Sequence, residues 1–157
     1  MESSCELPGP GGASASSRVT AAGSRLHRFL PGEGGAPHAW SGVPLQEYKT
    51  PAAHHCGVTR SVLVGESGES TRFHLRYFEI APGGFSTLER HRHEHVVVVL
   101  RGRGTVRLGE TTHEVGHGDT VYVAPGEVHQ LRNAGEEPFG FLCLVDAERD
   151  RPEAVEG

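Results

Sequence analysis

The chain has 157 residues and a formal net charge of -5, from 15 basic and 20 acidic side chains. That length provides one domain with a sizeable core and is too short for two ordinary ones. The acidic balance excludes the basic excess that draws proteins onto nucleic acid or anionic membranes. No apolar run approaches the ~18 residues of a membrane span, and the N-terminus lacks the basic region followed by an apolar one that is typical of a secretory signal. The three cysteines are scattered along the chain and predict no disulfide framework. We therefore predict a cytoplasmic protein that binds neither nucleic acid nor a membrane.

The N-terminal part of the chain divides into a tail and an arm. Residues 1–35 are rich in Gly, Ser, Ala and Pro. Such a composition buries too little apolar surface to repay its ordering entropy, so we predict a flexible tail over residues 1–35. Residues 36–57 carry spaced apolar side chains, among them Trp40 and Tyr48. They predict an arm that packs on the following domain or on a second subunit.

From residue 58 to residue 148 the sequence changes to short runs rich in β-branched and aromatic residues, separated by Gly, Pro and Asp turns. No stretch keeps a helical period over about three turns. Closely spaced strands without helices predict an all-β fold, an antiparallel jelly-roll β-barrel over residues 58–148, with a C-terminal tail over residues 149–157. The predicted strands are 58–65, 71–80, 87–100, 104–108, 111–115, 119–123, 128–132 and 138–145.

The most informative segment holds three histidines within five residues. Glu89, His91, His93 and His95 have the same parity, so in an unbroken strand they would share one face. The valines that follow, residues 96–99, predict a strand buried on both faces and argue against a solvent-facing strand with bystander histidines. Burying one carboxylate and three imidazoles on one face costs free energy unless they bind a partner. A divalent metal ion is the simplest such partner. We predict one divalent metal ion per chain, either Fe, Mn, Zn, Ni or Cu.

A second motif follows further along the chain and gives the sequence a family resemblance. The spacing of Gly118, Gly126, His129 and Asn133 resembles the second motif of the cupin superfamily, with Ala124 in place of its first proline. The first cupin motif is matched when Gly102 is aligned with its final glycine. The chain thus resembles small single-domain bacterial cupins of the conserved-barrel type over about residues 58–146. This resemblance implies a jelly-roll barrel of two short antiparallel sheets, in agreement with the strand pattern.

The same alignment implies a set of metal ligands. The usual His, His, Glu and His of the family become Glu89, His91, His95 and His129. An alternative register uses His91 and His93 as the paired histidines, which would need a shorter gap before the third ligand and makes His93 a possible alternative ligand. These groups bind metal in their deprotonated forms, so affinity is expected to fall as the pH drops below about 6.

Further residues are candidates for the lining of a pocket beside the metal. Val97 and Val99 continue the ligand face, and Cys143 is interpreted as a small buried hydrophobe rather than a thiolate. Arg101 and Arg103 flank Gly102 and are interpreted as solvated turn charges. The full set of possible lining residues is Phe73, Tyr77, Val97, Val99, Tyr122, Gln130, Phe141 and Cys143.

A metal with open coordination positions predicts a metal-dependent enzyme that acts on a small-molecule substrate, and we favour oxygen-using or other oxidoreductase chemistry. Three alternatives stay open. One is a non-redox zinc-type isomerase, lyase or bond-forming tailoring enzyme, and another is a non-catalytic small-molecule-binding or sensor cupin. The third is a structural role in which the metal only holds the barrel together. Because exposed edge strands usually need cover, we also expect a homodimer formed through the arm and a sheet face.

Overall fold

The structure is a computed structural model that describes residues 23–48 and 56–157. Within these ranges the chain forms strands and no helix, which confirms the predicted all-β class, and no helix there is long and apolar enough to cross a membrane. The strands are β1 (Phe29–Leu30), β2 (Ala39–Trp40), β3 (Gln46–Glu47), β4 (Cys56–Val64), β5 (Phe73–Phe85), β6 (Glu89–Arg90), β7 (His95–Arg101), β8 (Arg103–Leu108), β9 (Thr111–Gly116), β10 (Thr120–Val123), β11 (His129–Arg132), β12 (Phe139–Asp146) and β13 (Glu153–Ala154).

The strands from β3 onward curl into one antiparallel barrel. Neighbours follow the order β10-β7-β12-β5-β11-β6-β13, while β4 pairs with β5 and the β8–β9 hairpin joins through β11. The long strand β5 makes the curl, because its first part pairs with β12 and β4 whereas Phe85 at its end pairs with Arg132 of β11. Gly83 lies just before that point with a φ of 75°, a conformation that favours glycine. The predicted jelly-roll barrel is confirmed.

The core lies between the curled walls. In β7, His95, Val97 and Val99 point inward and are buried, whereas the alternate residues Val96 and Val98 are only half-buried. Burial of this strand on both faces, as expected from its valines, is therefore not observed. The core residues are Val58, Phe78, Ile80, Val97, Val99, Val106, Val121, Val123, Leu131, Phe139, Phe141 and Cys143.

One residue of the second motif has a structural role in this core. Asn133 is buried, and its side-chain amide donates to the carbonyl oxygens of Ile80 and Glu137 at 2.8 and 2.7 Å. Its Oδ1 accepts from the backbone N–H of Gly135 at 2.9 Å. Asn133 therefore ties β5 to the loop that follows β11.

The described part of the N-terminal region packs on the outside of the barrel. Trp40 contacts the ring of Tyr77 with a centroid distance of 4.8 Å, and β3 extends the sheet beside β4. Residues 23–35, which fall in the predicted tail, include strand β1, and this strand pairs with β2. Residues 1–22 of the tail and residues 49–55 of the arm lie outside the described ranges.

The C-terminal residues are not a free tail. Strand β13 pairs with β6, and the N–H of Val155 donates to the carbonyl of Leu88 at 2.9 Å. Asp150 accepts from the backbone N–H groups of Arg92 and His93 at 2.8 and 3.1 Å. The segment therefore covers an edge strand whose amides would otherwise be unpaired. Its charged sequence has no apolar alternation, so the sequence pattern did not predict this strand.

Candidate metal centre

Three histidines from separate elements meet inside the barrel. His91 lies in the bend after β6, His95 begins β7 and His129 begins β11. All three are buried, and their candidate ligand atoms lie within 4.8 Å of one another. Three converging imidazoles are a ligand set that a divalent ion binds, at ~2.1 Å from each nitrogen.

The chain brings these residues together through the turn of the second motif. Gly126 has a φ of 77°, and its N–H donates to the carbonyl of His91 at 2.7 Å. On either side of this turn, Val123 pairs with His95, and His129 pairs with Glu89. The hydrogen bond from Gly126 therefore links the turn before His129 to the segment that carries His91 and His95. A residue with a side chain would be strained at position 126.

Hydrogen bonds to the outer nitrogens leave the inner nitrogens available. His91 Nδ1 donates to the carbonyl of His93 at 2.7 Å, and His129 Nδ1 donates to the carbonyl of Glu127 at 2.9 Å. Because a carbonyl only accepts, both rings carry their proton on Nδ1 and keep the Nε2 lone pair. His95 Nδ1 faces Cys143 Sγ at 3.2 Å, and its Nε2 is buried without a hydrogen-bond partner. Three imidazoles held in this way fit a divalent metal ion.

Burial also keeps two of these rings in the neutral form that a metal requires. Desolvation lowers the pKa of His95 to about 2, with a smaller contribution from the neighbouring His129. Desolvation likewise lowers the pKa of His91, partly offset by its hydrogen bond to the backbone of His93. The buried Nε2 of His95 has no hydrogen-bond partner, and binding a cation would remove that cost.

His93 lies beside the cluster and outside the group of converging ligand atoms. Its ring stacks on His91, with centroids 3.7 Å apart and an angle of 4° between the planes, and its Nδ1 bonds Asp150 Oδ1 at 2.7 Å. The backbone N–H of Arg92 and the ring of His93 hold the pKa of Asp150 well below its usual range. His93 therefore packs against the ring of His91 without joining the converging ligand atoms.

Glu89 also lies outside the converging group, although it lines the same cavity. It belongs to the short strand β6, and the chain then bends over residues 91–94 before β7 begins. The unbroken strand predicted over residues 87–100 is therefore interrupted. Because of the bend, equal parity does not place Glu89, His91, His93 and His95 in one row.

The three histidines open onto a cavity of about 170 Å³ inside the barrel. Of the predicted lining residues, Phe141 and Cys143 lie on its wall. Val97 and Val99 are core residues behind it, and Gln130 donates to the carbonyl of Ser86. Phe73 and Tyr122 are exposed, and Tyr77 is buried on the opposite face of β5 under Trp40.

Several lining residues were missed by the sequence analysis. Phe78 and Arg76 of β5 face the cavity, together with Arg60 of β4 and Arg149 after β12. Arg76 and Phe78 were hard to assign to the inner face of β5, because Tyr77 and Glu79 on its other face are also buried.

A larger, open depression of about 890 Å³ lies between the β8–β9 hairpin and residues 134–137, and its wall holds four carboxylates but none of the clustered histidines.

Cys143 contacts both the histidine cluster and Arg76, one of the arginines that line the small cavity. Its Sγ lies 3.2 Å from His95 Nδ1 and accepts from Arg76 Nη2 at 3.2 Å. Burial raises the pKa of the Cys143 thiol, and the guanidinium of Arg76 opposes that rise. Cys143 is buried as predicted, and it is also the group that orients the ring of His95.

The fold and the site together define an all-β barrel with a three-histidine cluster that could bind a metal. The family model for the cupin domain matches residues 76–145. A 1-methylthio-D-xylulose 5-phosphate methylsulfurylase from Rhodospirillum rubrum is 45% identical over 117 residues, covering 74% of each chain. This chain belongs to the cupin family, as the sequence motifs predicted.

Two further relatives each cover at least two thirds of this chain. The crystal structure of a cupin 2 conserved barrel domain protein from Rhodopseudomonas palustris is 40% identical and covers 84% of this chain and 87% of that one, with a TM-score of 0.74. Auxin-binding protein 1 from Arabidopsis thaliana is 31% identical over 119 residues, which span 67% of this chain and 56% of that protein.

Proposed function

We propose that this chain is a metal-dependent enzyme whose substrate resembles that of the Rhodospirillum rubrum methylsulfurylase, a phosphorylated ketose with a methylthio group. The observation that carries the proposal is the buried set of three imidazoles, with an Nε2 that has no partner, at the wall of a small cavity. The 45% identity to the methylsulfurylase supports this substrate class.

Different residues of the cavity would have different roles. His91, His95 and His129 would hold the ion through their inner nitrogens, and the open side of the cluster faces the cavity. A divalent metal bound there would supply Lewis-acid activation of a carbonyl oxygen, which suits a ketose. Phe78 and Phe141 keep that part of the wall apolar and exclude water from the reacting end.

This proposal favours the non-redox alternative of the sequence analysis over oxygen-using chemistry. The deciding experiment incubates the purified protein with 1-methylthio-D-xylulose 5-phosphate after anaerobic reconstitution with Mn, Fe, Zn, Ni or Cu. A dithiol is added as the reductant: one thiol takes the methylthio group as a mixed disulfide while the sugar carbon that loses the sulfur takes up a proton, and the second thiol then displaces methanethiol as the dithiol closes to a disulfide. Substrate loss is followed by mass spectrometry with and without air. Turnover without oxygen that needs the metal is the expected result. Turnover only in air would instead support an oxygen-using enzyme.

A second candidate is a non-catalytic small-molecule-binding protein. The relationship to auxin-binding protein 1 favours this alternative, because the name of that protein describes binding. The same incubations separate the two candidates. Saturable binding of the ketose phosphate without turnover in every metal form would favour the binding protein.

The contact between Cys143 and His95 gives a separate prediction for metal affinity. Cys143→Val is expected to weaken metal binding about 10–100-fold, because the hydrogen-bond partner of a metal-binding histidine orients its ring. Cys143→Ser keeps a polar atom at this position and should retain most of the affinity. The measurement is a competition titration against a chelating indicator, with Cys56→Ser, at an exposed free cysteine, as the control. Equal affinity of the valine variant and the wild type would contradict the positioning role.

A further inference from the structure

Three arginines from distant parts of the chain line the same cavity as the histidines. Arg60 comes from β4, Arg76 from β5 and Arg149 from the segment after β12. They are close enough to repel one another, since burial lowers the pKa of Arg149 and the charges of Arg76 and Arg60 lower it further. Such a concentration of positive charge in a chain of net charge -5 calls for a compensating anion.

Arg76 is the most buried of the three, with 9% of its surface exposed. Its guanidinium lies 5.0 Å from the centroid of the Phe78 ring, and Nη2 donates to the sulfur of Cys143. Its Nε is buried and has no hydrogen-bond partner. A buried guanidinium with an unused donor is costly, so the site is incomplete without an acceptor.

Arg60 has a similar environment on the neighbouring strand β4. Its guanidinium lies 5.6 Å from the centroid of the Tyr48 ring, Nη2 donates to Gln46 Oε1, and its Nε is also buried without a partner. Arg149 donates through Nη1 to the carbonyl of Asp146 at 2.9 Å. These contacts fix the side chains while engaging mainly neutral acceptors, which leaves the charges available to a ligand.

The carboxylates of the cavity belong to its histidine side. Asp150 accepts from the backbone of Arg92 and bonds the ring of His93, and Glu89 lies on β6, where its backbone is in register with that of His129 on β11. Glu66 lies near enough to raise the pKa of Arg149, and this effect is smaller than the lowering by burial and Arg76. The wall formed by the three arginines therefore keeps its positive character.

We propose that Arg60, Arg76 and Arg149 form an anion subsite for the phosphate group of a phosphate monoester substrate. A phosphate monoester carries close to two negative charges and three acceptor oxygens, which matches several planar guanidinium donors better than a singly charged carboxylate does. This inference assigns residues to the phosphate group alone, and it rests on the proposed function for the identity of the rest of the substrate.

The subsite lies next to the reacting end of the cavity. Cys143 Sγ bridges the two, at 3.2 Å from Arg76 Nη2 and 3.2 Å from His95 Nδ1. A cavity of about 170 Å³ limits the substrate to a small molecule. A phosphate anchored on the arginines would thus direct the rest of a small sugar phosphate toward the histidine cluster.

The test uses metal-free full-length protein, so that a bound ion cannot hold the anion. Glycerol 3-phosphate is titrated by calorimetry, with glycerol as the uncharged control and inorganic phosphate in parallel. Wild-type protein is expected to bind glycerol 3-phosphate saturably and not glycerol. Arg60→Gln and Arg149→Gln should each weaken binding at least about tenfold, the loss expected for a charge-assisted hydrogen bond. Arg103→Gln, at an exposed arginine of β8 outside this cavity, should bind like the wild type.

The outcomes separate this subsite from the metal centre. The subsite is overturned if metal-free wild type does not bind, if only inorganic phosphate binds, or if Arg103→Gln is impaired as much as Arg60→Gln. Binding in the metal-free protein together with no metal uptake under any condition would sink the proposed function and leave the anion subsite standing. Circular dichroism and thermal unfolding of each variant exclude misfolding as the cause of a loss.

Discussion

His129→Ala is expected to reduce the metal content of the purified protein from about one equivalent to below about 0.1. His129 alone comes from β11, and its buried ring completes the cluster with His91 and His95. If the binding energy of a buried metal site is divided over its ligands, each contributes about 3 kcal/mol, so one loss weakens binding roughly a hundredfold or more. Mass spectrometry of protein dialysed after reconstitution measures the content.

Matched variants test whether the ligand set is the right one. His113→Ala removes an exposed histidine of β9 and should keep the full metal content. His93→Ala should keep the ion with reduced affinity, because His93 supports His91 by stacking. Complete loss in His93→Ala, with retention in Glu89→Ala, would show that the alternative register is correct. Glu89→Ala then decides whether a bound ion recruits the nearby carboxylate.

The barrel and its second motif could be predicted because both depend on local sequence. Alternating apolar residues identify the strands, and the Pro125-Gly126 turn brings His129 to a fixed place. The parity of the histidine segment was less informative, since it assumes an unbroken strand. The bend over residues 91–94 turns His91 inward and stacks His93 behind it. A bend of this kind is set by tertiary contacts, here the bonds from Asp150 to the backbone.

The sequence alone could not predict that three arginines line one wall of the cavity. Arg60, Arg76 and Arg149 are far apart along the chain, and only the pairing of β4, β5 and β12 brings them together. The inward face of β5 was also ambiguous, because Tyr77 and Glu79 are buried beneath the N-terminal residues while Arg76 and Phe78 face the cavity. A strand that is covered on both faces loses the polar alternation that would have identified its inner side.

The attachment of the N-terminal residues depends on a buried carboxylate that the sequence analysis did not single out. Glu79 Oε1 accepts from Arg101 Nη1 at 3.0 Å, and Oε2 accepts from the hydroxyl of Tyr77 at 2.7 Å and the N–H of His38 at 3.1 Å. Arg101 also donates to the carbonyl of Ala36 at 2.7 Å. The interpretation of Arg101 as a solvated turn charge is therefore wrong, because residues 36–40 cover it.

Glu79→Ala is expected to destabilise the protein by about 3–5 kcal/mol, because it removes a buried carboxylate that accepts from Tyr77, Arg101 and the backbone of His38. For a chain of this size that loss lowers the midpoint of thermal unfolding by about 10 °C. The fluorescence of Trp40, the sole tryptophan of the chain, should also shift toward that of an exposed indole as residues 36–40 leave the barrel. Glu94→Ala is the matched control, since Glu94 bonds the exposed Tyr122 and its loss should cost less than about 0.5 kcal/mol. Equal midpoints for the two variants would mean that the barrel holds the N-terminal residues without Glu79.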